Sequence, residues 1–504
     1  LKALLVNPRL PLSFWNFQDV LKIINKRAVY IPLGLITAAA LMPRDWQLKL
    51  VDLNIQQLTE KSIRWADLVF IGAMIVQKES VREIVNHCHK LGKKVVVGGP
   101  LLHHGVDMEF SDIDYCVLNE AELTLSGFIS DLKSGKPRRI YRADQKCDIR
   151  KTPTPRWDLL DLKRYASMSV QFSRGCPYQC EFCDIPVNQG RQFRDKTLKQ
   201  VIHELSTLHG TGWCGRVFIA DDNFVGNRPR LKVLLREIAS WQRFHGHPFV
   251  FNTEASINLA GDRELIALMV EAGFKGVFIG LETPDKDTLR RCGKHQNCKV
   301  DLLEAVRTIQ GNGLEVSGGF IVGFDSDSAD IFDRQIQFIQ ESGIVTAMIS
   351  ILYALPGTAL YQRLKKQGRL LDTTCMGSNS DGQVTFIPKM GIRALARGYL
   401  KVLNHIYSPS NYYERIFRFI EHYRPAKRHG TRHGDIASFL RSILYLGVLN
   451  RGNEKRFYWK AVLHGFFFRQ KYIDIIIEQA VFANHFRLHT QRVNKALRKH
   501  LNDR

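Results

Sequence analysis

A chain of 504 residues with 45% apolar and 10% aromatic content is long enough for about three domains and rich enough to bury a core in each, which excludes wholesale disorder. Its formal net charge is +23, and 15 of those charges fall in residues 391–504, where 22 Lys/Arg face 7 Asp/Glu. No window of ~18 uninterrupted apolar residues occurs, which excludes a helix that spans a bilayer. The ten cysteines are scattered apart from one trio and show no framework spacing, so a reducing compartment is expected rather than secretion. The chain starts directly on an apolar strand-like segment, Ala3 to Val6, and no signal peptide is read there; a cytoplasmic protein is expected.

Residues 1–150 alternate apolar strands with helix-length connections. Ala3–Val6, Leu48–Asp52, Asp67–Gly72, Lys94–Gly98 and Tyr115–Leu118 read as buried strands of a parallel sheet, with helices over Pro32–Leu41 and Ser80–Leu91. This βα alternation predicts an α/β, doubly wound, Rossmann-like domain. The polar, proline-bearing run Arg139–Pro155 reads as a linker.

The alternation restarts in residues 151–390. Strands are predicted at Met168–Phe172, Arg216–Ala220, Phe249–Thr253, Gly276–Gly280, Gly318–Val322 and Thr346–Ser350, with helices between them. Six βα repeats predict a partial (β/α)6 barrel of TIM type, whose site is built by loops at the carboxyl ends of the strands. Residues 391–504 read as a mainly helical, basic domain.

The loop after the first barrel strand carries the chemistry. In Ser173-Arg-Gly-Cys-Pro-Tyr-Gln-Cys-Glu-Phe-Cys-Asp184 the spacing is CxxxCxxC, with Phe182 immediately before the last cysteine. Cys176, Cys180 and Cys183 can each hold one iron of a [4Fe–4S] cube and leave the fourth iron open to a small molecule. A zinc knuckle or incidental buried thiols are the bland readings; zinc asks for a fourth ligand, and no neighbour is an obvious one. Cys292 and Cys298 read either as further ligands or as ordinary thiols in a basic loop.

The cysteine spacing and its aromatic closely resemble the radical S-adenosylmethionine (SAM) superfamily. That resemblance implies reductive cleavage of SAM to methionine and a 5′-deoxyadenosyl radical, which removes hydrogen from an unactivated carbon in a site closed to water. It also implies roles for the strand ends. Asp221, Asp222 and Asn223 stand where relatives hold the methionine amino group, Glu254 is a natural ribose or amine partner, and Gly276-Val-Phe-Ile-Gly-Leu-Glu282 matches the fourth-strand pattern. Phe182 would lie near adenine, and Gly318, Gly319 and Gly323 would let backbone approach a ligand. Read structurally, Asp222 and Asn223 cap the following helix, and Glu282 pairs with Lys275 or Arg291.

A Rossmann-like domain before such a barrel is similar to the cobalamin-binding class of the superfamily. In that class the residues matching Gly98-Gly99-Pro100 and Asn119-Glu120-Ala-Glu122 surround the corrin and its nucleotide tail, with Asp52-Leu-Asn54 and Gly72–Val76 as the other strand-end loops. The chain has no DxHxxG, so no histidine is placed to replace the lower base. A domain that keeps the fold without the cofactor is the alternative. Trp15-Asn-Phe17, Ile31-Pro-Leu-Gly-Leu35, Val51–Asn54, Asn119–Thr124 and Cys180–Ile185 resemble one subgroup, which ends in a C-terminal domain of uncharacterised role and includes the hopanoid C-2 methylases. Pro186-Val-Asn-Gln-Gly-Arg191 departs from their pattern on the substrate side.

The resemblance therefore implies a C-methyltransferase acting through methylcobalamin on a hydrophobic substrate, such as a hopanoid-like polycyclic lipid, with a flavodoxin or ferredoxin as external reductant. A cobalamin-bearing oxidoreductase or cyclase without methyl transfer, or a non-catalytic sensor, are the other readings. In the basic tail, Arg441–Leu449 and Phe457–Tyr472 interleave aromatics with cations. That suits peripheral contact with a membrane face, or equally a helix packed on the barrel with its cations solvated. No RNA-binding module is recognisable, so nucleic acid is not expected as a partner.

Overall fold

The computed structural model describes residues 1–102, 112–371, 382–425, 433–450, 452 and 454–502. Cys375 lies outside them. Two parallel six-stranded sheets and a helical C-terminal region make up the α/β fold.

The first sheet holds β1 (Lys2–Asn7), β2 (Gln47–Asp52), β3 (Leu68–Gly72), β4 (Lys94–Gly98), β5 (Tyr115–Val117) and β6 (Ile140–Tyr141), in the order β2-β1-β3-β4-β5-β6. Both faces are buried, which is why the strands read as continuous apolar runs. Leu4, Val6, Val69 and Val97 pack on helices 60–65 and 78–90; Leu5, Phe70 and Val96 pack on helices 33–40 and 121–133. The order reverses between β1 and β3, so the crevice of this doubly wound sheet opens beyond their carboxyl ends.

The run 139–155, read as a linker, belongs to this domain instead. Ile140 and Tyr141 add a sixth strand beside β5, and Cys147 and Ile149 are buried. Two strand residues among polar neighbours carry too little periodicity to announce themselves. The Tyr141 hydroxyl secures them: it donates to Asp131 and accepts from the Arg138 amide.

The second sheet follows chain order around an open arc. It comprises β7 (Ser167–Val170), β10 (Gly215–Ile219), β11 (Phe249–Ala255), β12 (Phe274–Glu282), β13 (Glu315–Val322) and β14 (Ala347–Ile351), in the order β14-β13-β12-β11-β10-β7. A short antiparallel ribbon, β8 (Ser173–Arg174) and β9 (Arg194–Asp195), flanks the cysteine loop. This is the expected six-stranded partial barrel. Phe251, Val277, Ile279, Leu281 and Phe320 face the surrounding helices in one large core. The opposite face, with Glu254 beside Phe278 and Gly319 beside Met348 in register, lines the lumen.

The C-terminal helices close the arc on the β14 side. Tyr399 and Tyr407 donate to the carbonyls of Ile349 and Ala347, and Arg415, fully buried, donates to those of Ile344 and Ile406. The last helix, Ile473–Asn502, returns to the start of the chain: His485 and Arg492 both hold Asp19. No described helix is long and apolar enough to cross a membrane.

Candidate active site

Cys176, Cys180 and Cys183 lie half-buried in one loop at the carboxyl end of β7, and the protein shapes that loop by itself. Gly175 has φ +94°, and a Cβ there would sit 2.5 Å from the Gln192 carbonyl oxygen. Gly293 is as cramped, 2.7 Å from the Gln179 oxygen. The Glu181 amide donates to the Cys292 carbonyl at 2.9 Å, and the Glu181 carboxylate accepts two hydrogen bonds from Arg363, at 3.2 and 2.9 Å. Cys292 and Cys298 are ordinary thiols: each is engaged with a backbone carbonyl, and Cys292 is buried in an apolar cluster with Phe182 at its edge.

Burial pushes all three loop thiols up from their ordinary range, and the Lys294 ammonium opposes it. Thiols so placed become thiolates when a cationic metal group shares their loop. Among the described residues no three His, Cys, Asp or Glu side chains are grouped to hold a single metal ion. The donor set is three thiols of one short loop, which fits a cube with one iron per cysteine.

The strand ends divide into residues already engaged and residues left open. Asp221 is buried and engaged: it accepts from the Phe172 amide at 2.8 Å and the Ser173 hydroxyl at 2.5 Å, and burial pushes its pKa up to about 7. Asp222 accepts from the Gly175 amide at 2.8 Å and so supports the turn into Cys176. Asn223 stands at the cap position of the next short helix, yet its side chain makes no cap bond, and its buried Oδ1 has no partner. Glu254 projects into the lumen, where solvent still reaches it. Its low-dielectric surroundings, with Asp222 adding to them, push its pKa up to about 7.

Glu282 pairs with neither Lys275 nor Arg291. It takes Lys294 at 2.6 Å, while Lys275 joins Glu315 and Glu478 elsewhere. The pair needs a distorted strand: Glu282 has φ +65°, the register slips between Gly280 and Glu282, and a Cβ on Gly280 would lie 2.4 Å from Glu282 Oε1. Strain of this kind persists where the surroundings over-determine it. Phe182 packs edge-on against Phe324. Gly318 and Gly319 accommodate the rings of Phe320 and Phe278, and Gly323 accommodates Leu395.

Two aromatics reach the lumen from the connection after β1. Trp15 stands edge-on to Phe278 and donates its indole N–H to Met348 Sδ at 2.9 Å; Tyr30 lies 5.5 Å from the ring of Phe218. Tyr30 is still 38% exposed; the low-dielectric protein around its ring first, and Glu254 next, push its phenol up. Because β1 ends at the switch point of the first sheet, this one connection runs from that crevice into the barrel.

The first-domain residues expected around a corrin have structural partners. Asp52 is fully buried and accepts from the Tyr165 hydroxyl at 2.7 Å and from Asn54. Glu120 accepts from the Cys147 amide, Arg174 and Arg194; Glu122 accepts from Arg174 and the Thr152 hydroxyl. These carboxylates fasten the first domain to Arg174, two residues before Cys176. Gly98 and Gly99 end β4 against backbone: a Cβ on Gly99 would sit 2.6 Å from the Ala73 oxygen. Asn119, at φ +64°, makes the turn that brings Glu120 round. Lys294, Arg194 and Tyr30 carried no signal that sequence reasoning picked up, while Arg174, adjoining the cysteine motif, and Trp15, in the run Trp15-Asn-Phe17, were quoted without being given a place in the site.

Comparison with known proteins agrees with this geometry. Residues 170–339 match the family model of the radical SAM superfamily, and residues 358–499 match a domain of unknown function, DUF4070. An uncharacterised methyltransferase of Synechocystis sp. is 42% identical over 419 residues, 83% of this chain and 78% of that protein. The hopanoid C-2 methylase of Rhodopseudomonas palustris is 36% identical over 385 residues, 75% of this chain and 73% of that protein. The fold is shared with the radical SAM methyltransferase TsrM of Kitasatospora setae, solved with cobalamin and a [4Fe–4S] cluster (15% identity, TM-score 0.62, 99% of each chain). It is shared also with the cobalamin-dependent SAM radical enzyme OxsB (16% identity, TM-score 0.64, 100% of this chain and 81% of that one). The chain thus belongs to the radical SAM superfamily, in the methyltransferase family that contains the hopanoid C-2 methylase.

Proposed function

We propose that this enzyme is a cobalamin-dependent radical SAM methyltransferase that methylates a carbon of a flat, hydrophobic substrate. The observation that carries it is a single chain segment, the connection after β1, which runs from the first domain's crevice and puts Trp15 and Tyr30 beside Phe278 and Phe218 in the barrel lumen. When bound, a [4Fe–4S] cluster supplies the electron that cleaves SAM, and cobalamin supplies the methyl carrier.

The protein's own part is holding and shielding. Cys176, Cys180 and Cys183 hold the cluster, with Lys294 offsetting thiolate charge near Cys180. Glu254 and the unpartnered Asn223 Oδ1 offer acceptors to the amine and ribose of SAM, and Phe182 offers a flat wall to adenine. Trp15, Tyr30, Phe218, Phe278 and Met348 keep water from the reacting carbon and fit the face of a polycyclic lipid. A flavodoxin- or ferredoxin-type donor supplies the electrons from outside.

The test uses protein purified without oxygen from cells given hydroxocobalamin, with its cluster reconstituted. We expect a corrin spectrum, reductant-dependent 5′-deoxyadenosine, and transfer of a deuterated methyl group from SAM into a lipid extract. Cys180→Ala should lose iron and SAM cleavage together. Cleavage without corrin would overturn the cobalamin assignment, and cleavage by an iron-replete Cys180→Ala protein would overturn the ligand assignment.

A further inference from the structure

The helical hairpin whose arms are residues 440–450 and 454–468 exposes apolar side chains that the fold does not use. Leu440, Leu444 and Val448 recur at four-residue spacing on its first arm, and Leu463 and Phe467 do so on its second, continuing from the half-buried Trp459 that packs on the core. The two stripes meet where the Trp459 indole donates to the Gly447 carbonyl at 3.1 Å, one residue from Val448. At the end of the second arm Phe466, Phe467 and Phe468 are 61%, 67% and 76% exposed, and Leu440 is 60% exposed. Large aromatics standing together in water mark an interaction surface. The turn of π-helix at Ile443–Val448 turns Leu444, Tyr445 and Val448 outward together while Leu446 and Gly447 stay buried.

Charge identifies the occupant. Lys455, Arg456, Lys460, Arg469 and Lys471 are exposed around these stripes. Glu454 is the single carboxylate between residues 440 and 472, and it is paired with Arg487. A second copy of the chain would set cations against cations. A nucleic acid would leave the aliphatic Leu440, Leu444, Val448 and Leu463 with nothing to pack on. An anionic bilayer meets both features at once, taking the apolar stripes among its acyl chains while the cations reach up to phosphates.

We infer that this hairpin docks the enzyme on an anionic lipid bilayer. The hairpin is tied to the barrel side of the molecule, since the Arg441 guanidinium donates to the Ile23 carbonyl, in the same connection that carries Trp15 and Tyr30. On the reading of a lipid substrate, docking brings the lumen to the phase in which that substrate dissolves.

The experiment is flotation of the full, cluster-loaded chain with phosphatidylcholine vesicles, with or without phosphatidylglycerol, at low and high salt. Binding should require the anionic lipid and weaken with salt. The triple variant Phe466→Ser, Phe467→Ser, Phe468→Ser should lose roughly tenfold or more in vesicle affinity, with its circular dichroism, iron content and 5′-deoxyadenosine yield unchanged. That last readout needs no vesicle, so failure of docking and failure of the proposed chemistry are separable. No flotation with either lipid, equal flotation of the triple variant, or a concentration-dependent dimer that the triple variant abolishes would each overturn the inference.

Discussion

Glu254 has the least settled charge of the lumen residues. Its pKa of about 7 in the fold compares with about 4.5 in an unfolded chain, so the folded state binds the extra proton between those values. Stability contributed at this position therefore falls as pH rises through that window. Glu254→Gln should be more stable than the parent above pH 7, with the difference vanishing near pH 4; urea unfolding at several pH values reads it. On the proposed contact, the ammonium of SAM needs the ionised carboxylate. Its affinity for the parent should rise from pH 6 to pH 8, while Glu254→Gln binds it roughly tenfold more weakly and with a flat profile by equilibrium dialysis. Glu254 and the three cysteines could be singled out from the sequence because strand-end position and close spacing are local properties. The sequence could not show Lys294 or Tyr30 at the same site, since each arrives from a distant segment and has no local pattern.

Between elements, the join that matters most is the one from Asn119–Glu122 to the β8/β9 ribbon. Arg174 reaches both Glu120 and Glu122 in a nearly dry pocket. Burial alone would raise the two carboxyl groups, yet hydrogen bonds from Cys147, Thr152 and the arginines hold both below their usual range. Groups shifted this way contribute stability above about pH 4.5, lost as pH falls through the folded values. Arg174→Gln should cost about 3 kcal/mol at pH 7, with the deficit shrinking below pH 4.5 in chemical denaturation. The strands of the two sheets, apart from the two-residue β6, were readable from apolar runs, because each buries at least one face in a core. What joins them was not readable: opposite charges separated by some fifty residues carry no periodicity.

Over the whole molecule, the C-terminal helices behave as part of the barrel. Asp19 is buried against His485 and Arg492, which with burial opposing them still hold its carboxyl below the usual range. Asp19→Ala removes the carboxylate that both partners contact. Backbone amides of residues 14–31 should then exchange with deuterium at least tenfold faster, while those of β10–β13 keep their protection. Uniform loss of protection in both regions would show global unfolding instead. The basic character of this region was legible from composition, but its docking onto β14 was not, because Tyr399, Tyr407 and Arg415 act on backbone carbonyls, which any sequence possesses.

The grip of residues 485 and 492 on Asp19 closes the chain on itself across 466 and 473 residues. A contact of such separation bears a loop-closure entropy that contacts between sequence neighbours escape. The segment bearing Trp15 and Tyr30 is therefore steadied from the far end of the described residues, and the lumen wall these aromatics form depends on a helix that shares no sequence neighbourhood with the barrel strands.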